Sequence, residues 1–297
     1  MDISAHSTAA LVAADSNPGR IVCSPGGVAR NVAENLLRLG VKPRLISVLG
    51  DDLFAQALRQ SAASIGLDLS ACASLTGQRT ATYLSLHERD GDMGMAVNDM
   101  GILECLTPAL LLPHRDLLQG AAALVVDCNV RPDVLEWLGS TVRHPVLFAE
   151  AVSVAKCLKL LPVLGHLHTL KANRIEAETL SGKPINSPQS ACDAALILHQ
   201  RGVRNVVISL GQDGVAWCDA QAKVGHKRVC PVTVDSATGA GDALLSGLIY
   251  GHMQGLPLEL AVPWAMACAE LTLASTFANS PELSVASVEA RIKLHNT

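Results

Sequence analysis

The stretch DSATGAGDALLSG, from Asp235 to Gly247, decides how the rest of the chain is interpreted. Glycines and one aspartate open an apolar helical segment that contains no lysine. The dinucleotide fingerprint G-x-G-x-x-G does not fit, because Leu244 stands where the third glycine belongs. A Walker A loop does not fit either, since that loop ends in Gly-Lys followed by Ser or Thr. What remains is a glycine turn at the start of a helix.

This glycine turn predicts an anion site. The backbone N–H groups of Gly239, Ala240 and Gly241 would point at an anion bound at the start of the helix. Asp242 follows directly, and a carboxylate beside an anion site needs a chemical reason. A general base that takes a proton from an alcohol attacking a phosphate is one such reason. The alternative is that Asp242 only caps the helix, and local spacing does not decide between the two.

Composition limits the classes of function. The chain has 297 residues, of which 49% are hydrophobic and 17% charged, as in globular proteins. A formal net charge of -4 gives no reason to expect nucleic acid or an anionic membrane as partner. The apolar runs are too short to span a bilayer, and the N-terminus lacks the basic start of a secretory signal. Nine cysteines without metal-ligand spacing indicate reduced thiols in a cytoplasmic protein.

Apolar runs and helical patterns alternate along most of the chain. This alternation predicts an α/β fold with a parallel sheet covered on both faces. The predicted strands are Arg44–Gly50, Ala123–Asn129, Pro145–Glu150, His168–Asn173 and Asn205–Gly211. The predicted helices are 28–39, 51–66, Pro132–Leu138, Ser153–Leu161 and Ser187–Arg201.

The segment Thr80–Met100 has a different pattern. Its apolar residues alternate with polar ones and are interrupted by RDGD, which predicts a hairpin and not a crossover helix. We expect this segment, together with residues 2–21, to form a small β lid over the sheet. An edge hairpin without a role in function is the alternative.

Four motifs carry a resemblance to a known family. A Gly-Gly turn enters a helix in PGGVARNVAENLLRLG, two strands end in KANRIEAE and SLGQDG, and TGAGDA comes last. In this order and spacing they resemble the ribokinase-like (PfkB-type) sugar and nucleoside kinases. The resemblance covers nearly the whole chain, from Asp2 to about Ser287.

The resemblance implies a fold and a reaction. The fold is a three-layer α/β sandwich with a central, mostly parallel sheet and a small β lid, in a single kinase domain over residues 1–297. The reaction is transfer of the γ-phosphate of ATP to an alcohol, with Mg²⁺ as the metal. Asp242 would be the catalytic base, and Gly239, Ala240 and Gly241 would form the anion hole.

The resemblance also assigns the other site residues. The substrate contacts would be Asp2, Gly26, Gly27, Asn31, Asn98 and Asp99. The nucleotide contacts would be Asn173, Glu176, Ser209, Gly211, Gly214 and Asn279, with Glu176 holding Mg²⁺ through water.

Within the family, several stretches resemble pseudouridine kinases. They are ADSNPG, TYLSLHERDGDMGMAVNDM, DCN and HTLKANRIEAETLSG. This resemblance implies phosphorylation of the 5′-hydroxyl of pseudouridine. The alternatives are a kinase for another nucleoside or sugar, such as adenosine, ribose or fructose, and a catalytically impaired nucleoside-binding relative. Relatives often dimerise through lid strands, so a homodimer stays open.

The sequence departs from the family pattern at four places. Relatives begin with a strand that ends in Gly-x-x-N-x-D, whereas this chain starts Met-Asp, so we expect Asp2 to close that motif and the strand to be missing. Ser236 stands where relatives often carry Asp or Asn, which leaves dependence on K⁺ open. Glu150 with Ala151 replaces a usual Asp-Pro, and Ala172 replaces a common proline.

Overall fold

A computed structural model of the chain describes residues 1–89, 93–142, 145–230 and 232–294. The strands are β1 (Asp2–Ser7), β2 (Gly19–Ser24), β3 (Val48–Leu49), β4 (Ala73–Ser74), β5 (Thr82–His87), β6 (Met93–Asp99), β7 (Ala123–Asp127), β8 (Val146–Glu150), β9 (Thr169–Asn173), β10 (Asn205–Ser209), β11 (Val215–Cys218) and β12 (Val224–Lys227). The helices are α1 (Val28–Arg38), α2 (Leu53–Ile65), α3 (Pro108–Leu111), α4 (Arg115–Gln119), α5 (Pro132–Thr141), α6 (Val154–Cys157), α7 (Arg174–Ser181), α8 (Pro188–Gln200), α9 (Ala240–Met253), α10 (Leu258–Leu273) and α11 (Val285–Leu294). Short 3₁₀ segments lie at Gly101–Cys105, Leu112–His114, Leu158–His166 and Gly211–Asp213.

The chain divides into two compact units. The smaller unit contains residues 1–27 and 44–106, and the larger unit contains residues 28–43 and 107–297. Among the helices of the described ranges, none has the length and apolar character needed to cross a bilayer.

The smaller unit contains a four-stranded sheet in the order β2-β1-β5-β6. The pairing of β5 with β6 is antiparallel, which confirms the hairpin predicted from the sequence, and its turn at 90–92 lies outside the described residues. β3 and β4 form a separate parallel pair. The strand predicted over Arg44–Gly50 is therefore much shorter than expected, since only Val48 and Leu49 are extended in the ladder.

The larger unit is built on a six-stranded sheet in the order β12-β11-β10-β9-β8-β7. β7 to β10 are parallel, and β11 and β12 are antiparallel additions. The predicted parallel strands are confirmed, with ends that differ by one or two residues. Residues 205–208 of β10 are all buried, as expected for a strand covered on both faces. Within the described residues β7 pairs only with β8, so β7 is an edge strand.

The predicted helix Ser153–Leu161 is shorter than expected. α6 has one turn, and the chain then continues as a 3₁₀ segment from Leu158 to His166. Pro162 lies inside this segment and cannot donate a backbone hydrogen bond, which accounts for the loss of regular α-helix.

One apolar cluster joins α1, β8 and α9 in the larger unit. It contains Val32 and Leu36 from α1, Phe148 from β8, and Leu245 and Ile249 from α9. All five side chains are buried. This packing fixes the direction of α9 and therefore the place where its first turn begins.

We expect Leu245→Ala to destabilise the larger unit strongly. Leu245 is fully buried, and removing its side chain leaves a cavity that costs about 2–5 kcal/mol in the free energy of unfolding. Leu260→Ala is the matched control, since Leu260 in α10 is 54% exposed. Urea unfolding measures both, and equal losses in the two variants would contradict the packing described here.

Candidate active site

The first turn of α9 begins at a position that only glycine can occupy. Gly239 is the N-cap residue and has φ of +82°, in the left-handed region. A Cβ atom there would also overlap the backbone carbonyl of Ala278. The N–H groups of the first turn have no acceptor inside the helix, as at every helix start. The turn therefore has the geometry of the predicted anion hole at Gly239, Ala240 and Gly241.

Asp242 lies in this first turn, and the N-cap residue before it is Gly239. α9 has no side-chain capping hydrogen bond. Instead, Asn31 Nδ2 donates to Asp242 Oδ2 over 2.8 Å. The carboxylate of Asp242 is thus directed to a side chain of α1, and its role as a base stays a prediction.

Asn31 and Asn279 connect α1 to the segment that follows α10. Asn31 is 4% exposed, and within the described residues its Oδ1 atom has no hydrogen-bond partner. Its backbone carbonyl accepts from Asn279 Nδ2 over 2.8 Å, and the same Nδ2 donates to Asn35 Oδ1 over 2.9 Å. The amide nitrogen of the buried Asn279 thus donates to both Asn31 and Asn35. The contact of Asn279 with a nucleotide stays a prediction.

A buried ion pair lies at the carboxyl ends of β8 and β9. Lys171 Nζ donates to Glu150 Oε1 over 2.9 Å, and both side chains are 6% exposed. A Cβ atom on Gly241 would lie 2.7 Å from Lys171 Nζ, so the ammonium group lies directly against the glycine turn. Lys171 is not among the site residues predicted from the sequence. The available signal was a lysine inside an otherwise apolar strand, where a charged side chain needs a partner.

The pKa shifts of this pair reflect a crowded group of charges. Burial raises the pKa of Glu150 to about 8, Lys171 opposes this rise, and the charges of Asp242 and Glu176 add to it. Burial by itself lowers the pKa of Lys171, but the charge and hydrogen bond of Glu150 outweigh burial and raise it. Lys171 therefore stays charged, and three carboxyl groups surround one ammonium group.

Asn173 and Glu176 form a reciprocal capping box at the start of α7. Glu176 N donates to Asn173 Oδ1 over 3.0 Å, and Asn173 N donates to Glu176 Oε2 over 2.8 Å. The sequence spacing N-x-x-E is the signature of this box. Their predicted role towards the nucleotide and metal stays a prediction, and the box fixes Glu176 in a buried position.

The charges fit a magnesium ion held partly through water. The described residues contain no group of three or more His, Cys, Asp or Glu that could hold a metal directly. However, Glu150 Oε2 is buried and has no hydrogen-bond partner there, which leaves one acceptor for a water or a cation. Mg²⁺ keeps several waters and binds few carboxylates, so Glu150 and Glu176 provide a suitable set.

The loop after β10 lies beside this group. Ser209 ends β10 and pairs in register with Asn173 of β9. Gly211 and Gly214 have φ of +63° and +92°, and a Cβ atom on Gly214 would overlap the carbonyl of Lys227. The two glycines are thus required by the turn itself, and their contact with a nucleotide stays a prediction.

In the smaller unit, the structure groups Asp2 with Gly26 and Asn98. A Cβ atom on Gly26 would overlap the Asp2 carboxylate, so the glycine makes room for it. Asp2 and Asn98 are both in register with Tyr83 and therefore lie on one face of the sheet.

The other two predicted substrate residues of this unit are placed differently. Asp99 points to the face opposite Asn98, because successive side chains of a strand alternate, and its Oδ1 accepts from Gly101 N over 3.4 Å. Asn98 and Asp99 thus lie on opposite faces of the sheet, and the contact of each with the substrate stays a prediction. Gly27 has φ of +107°, with open space where a Cβ would be.

We expect Lys171→Met to make stability strongly dependent on pH. The folded pKa of Glu150 already exceeds its ordinary value of 4.5, so the stability it contributes is lost as pH rises through about 8. Without Lys171 the charged form is unpaired, which costs about 3–5 kcal/mol at high pH. Urea unfolding at about pH 6 and about pH 9 measures the difference.

Two further variants control this experiment. Lys171→Met combined with Glu150→Gln should lose the added pH dependence, since no carboxylate then titrates. Lys183→Met breaks a more exposed ion pair with Asp193 and should cost at most about 1 kcal/mol. A Lys171→Met variant that is equally stable at both pH values would contradict the proposed charge balance.

Comparisons with known proteins identify the family of this chain. The family model described as pfkB family carbohydrate kinase matches residues 2–284. A pseudouridine kinase of Escherichia coli is 37% identical over 288 residues, covering 97% of this chain and 92% of that protein. A guanosine-inosine kinase of Exiguobacterium acetylicum is 28% identical, covering 93% and 92%. The crystal structure of a ribokinase from Thermotoga maritima, at 20% identity, superposes with a TM-score of 0.86 over 98% of this chain and 96% of that one. The chain therefore belongs to the PfkB family of carbohydrate kinases and has the ribokinase-like fold, as an ATP-dependent kinase of sugars or nucleosides.

Proposed function

We propose that this kinase transfers the γ-phosphate of ATP to the 5′-hydroxyl of pseudouridine. The observation that carries the proposed site is the arrangement around Asp242. Asp242 is hydrogen-bonded to Asn31, and it directly follows the glycine turn that lies against Lys171. The identity with the Escherichia coli pseudouridine kinase, over nearly the full length of both chains, supports the choice of substrate. The products are pseudouridine 5′-phosphate and ADP.

Asp242 acts as the general base in this mechanism. Asn31 donates to Oδ2 and orients the carboxylate, which accepts the proton of the substrate hydroxyl. As that proton moves to Asp242, the hydroxyl oxygen forms a bond to the γ-phosphorus. The bond from this phosphorus to the bridging oxygen breaks in line with it, and the electron pair leaves with ADP.

The glycine turn and Lys171 stabilise the charge on the transferred group. The first-turn N–H groups of Ala240 and Gly241 donate to its oxygens. The ammonium group of Lys171, which lies against Gly241, adds a full positive charge from below the turn. Because the lysine is buried, its charge is weakly screened by water.

Glu176 and the unpartnered oxygen of Glu150 would hold Mg²⁺ through water molecules. When bound, this ion neutralises charge on the phosphates. The proposed nucleotide site is lined by Asn173, Ser209, Gly211 and Gly214, with Asn279 as a further contact. Asp235 N and Ser236 N both donate to the carbonyl of Leu273, so the loop before α9 is the place to look for an effect of K⁺.

We propose that the ribosyl hydroxyls are bound by polar groups of two stretches near the N-terminus, the one that contains Asp2 and the one that contains the Gly-Gly turn before α1. Asp2, with Gly26 making room for its carboxylate, is proposed to accept from adjacent hydroxyls, and Asn31 Oδ1 offers another acceptor. Gly27 and Asn98 are proposed further contacts. The lid segments 2–21 and 80–100 are proposed to exclude water and so limit hydrolysis of ATP.

Nine free thiols and the use of ATP suit a cytoplasmic enzyme.

We expect the wild-type protein to release ADP with pseudouridine and Asp242→Asn to lose this activity. Removing a general base lowers the rate by at least about a hundredfold. Asp116→Asn is the matched control, because Asp116 is exposed in α4 and far along the chain from the site. The assay compares pseudouridine with uridine, adenosine, ribose and fructose, in K⁺ and in Na⁺.

The outcomes of this assay separate the alternatives. If another compound is phosphorylated and pseudouridine is not, the proposed substrate is overturned. The protein would then be a kinase of a different sugar or nucleoside. Nucleoside binding without ADP release would indicate a catalytically impaired relative. Full activity of Asp242→Asn would overturn the proposed base.

We also propose that two copies of the chain pair through the apolar face of the four-stranded sheet. The strand register places two rows side by side, Cys23, Ile3, Leu84 and Val97 in one and Ile21, Ala5, Leu86 and Met95 in the other. Ile21, Met95 and Val97 are 70%, 62% and 61% exposed. An uncharged, exposed face of this kind can meet its own copy across a two-fold axis.

We expect Met95→Asp with Val97→Asp to convert a dimer to a monomer. The charges would be buried without partners in the paired state, which the pairing free energy does not offset. Light scattering measures the mass, and Leu53→Asp is the control, since Leu53 is 78% exposed on α2 and outside this face. A wild-type mass of one chain would overturn the proposed dimer.

A further inference from the structure

A cavity of about 550 Å³ opens at the amino ends of the parallel strands, opposite to the ends that carry the catalytic groups. Its described lining is Leu124, Leu138, Gly139, Ser140, Val142, Pro145, Val146, Leu147, Gly165, His166, Leu167, His168, Gly202 and Arg204. Five-residue strands such as β8 and β9 separate this cavity from the catalytic ends by roughly 15 Å. The cavity is thus not part of the phosphoryl-transfer site.

The described lining contains four polar or ionisable side chains, and none of them is acidic. They are Ser140, His166, His168 and Arg204, and no carboxylate is among the described lining residues. Arg204 forms no ion pair with any described residue. Arg204 is exposed at this cavity, and in a chain with a formal net charge of -4 an arginine without an acidic partner among the described residues is a specific feature.

A cluster of rings at the base of the cavity holds His168 in place. Its ring lies edge-on to His252 of α9, with centroids 4.6 Å apart, and 5.4 Å from the ring of Phe148. Its Nδ1 atom is 2.9 Å from Thr169 Oγ1. Burial, and then the charges of His252 and Arg204, lower the pKa of His168 to about 4, while burial and then Arg204 lower the pKa of His252. Among the lining residues that the structure describes, Arg204 therefore supplies the fixed positive charge at neutral pH.

The remaining wall is apolar or lacks side chains. Leucines and valines of β7, β8 and α5 supply the apolar part. Gly139 packs against His166, since a Cβ atom there would lie 2.9 Å from His166 Cδ2. Gly165 and Gly202 approach each other so closely that a Cβ on Gly202 would lie 2.8 Å from Gly165 Cα. The volume falls in the range of about 300–1,000 Å³ that is typical of small-molecule sites.

We propose that this cavity is a second ligand site, which binds a small organic anion. The ligand has an apolar or planar body that contacts the leucine and valine wall, and a phosphate or carboxylate group that pairs with Arg204. His166 and the Nε2 atom of His168 supply further hydrogen bonds to that group. Arginine suits this role because its planar guanidinium group can donate two hydrogen bonds to one anion.

The test uses phenyl phosphate, benzoate and phenol as probes of the full chain. Isothermal titration calorimetry is run with saturating MgADP, which occupies the nucleotide part of the phosphoryl-transfer site, and the Arg204 variants below separate binding in the cavity from binding there. We expect wild type to bind phenyl phosphate, benzoate or both, and not to bind phenol, because phenol lacks the anionic group. Which of the two anions binds more tightly identifies the class of ligand.

Variants of Arg204 locate the binding. We expect Arg204→Gln to weaken binding of the anionic probe by at least about tenfold, and Arg204→Lys to retain part of it. Arg115→Gln is the matched control, an exposed arginine of α4 in the same unit, and should bind as wild type does. If Arg204→Gln does not fold, the affinities of Arg204→Lys and Arg115→Gln for the anionic probe are compared instead. Equal affinities would then count against a role of Arg204.

NMR provides an independent measurement. The ring signals of His168, identified from a His168→Gln variant, should report a higher pKa in the presence of saturating anion, because the anion favours the protonated ring. The proposal is overturned if wild type binds neither anion at millimolar concentration, if Arg204→Gln binds as wild type does, or if the pKa of His168 does not change.

Discussion

The active site depends on the cost of burying a charge. Lys171 and Glu150 are removed from water at the carboxyl ends of adjacent strands, and each is tolerable only because the other is present. The pair fixes an ammonium group against the turn before α9. Asp242 and Glu176 add negative charge around it, so the site is suited to a ligand that brings both phosphate and a metal cation.

Close backbone contacts determine where the other groups lie. Gly239 touches the carbonyl of Ala278, and the next residue, Asn279, donates to both the backbone and a side chain of α1. The start of α9 and the face of α1 that carries Asn31 are therefore connected through one short segment. Asn31 in turn orients Asp242. The proposed base is thus connected through hydrogen bonds to the segment that follows α10.

The two ends of the parallel sheet carry different chemistry. The carboxyl ends bear carboxylates around one lysine, whereas the amino ends border a cavity with an arginine and histidines and no acid among its described lining. Loops at both ends are free to vary while the strands between them keep the core. This separation would let the proposed phosphoryl-transfer site and the proposed anion cavity occupy opposite ends of one sheet.

The sequence by itself determined the fold class, the parallel strands from Ala123 to Ser209, the glycine turn and the capping box of Asn173 and Glu176. These features are local, because they follow from periodicity, from glycine at positive φ and from residue spacing. Only the tertiary structure decided that Asp242 pairs with Asn31, that Lys171 lies against Gly241, and that Asn98 and not Asp99 shares a face with Asp2. Such contacts join residues up to 211 positions apart, and their energies depend on burial and on neighbouring charges that no local pattern contains.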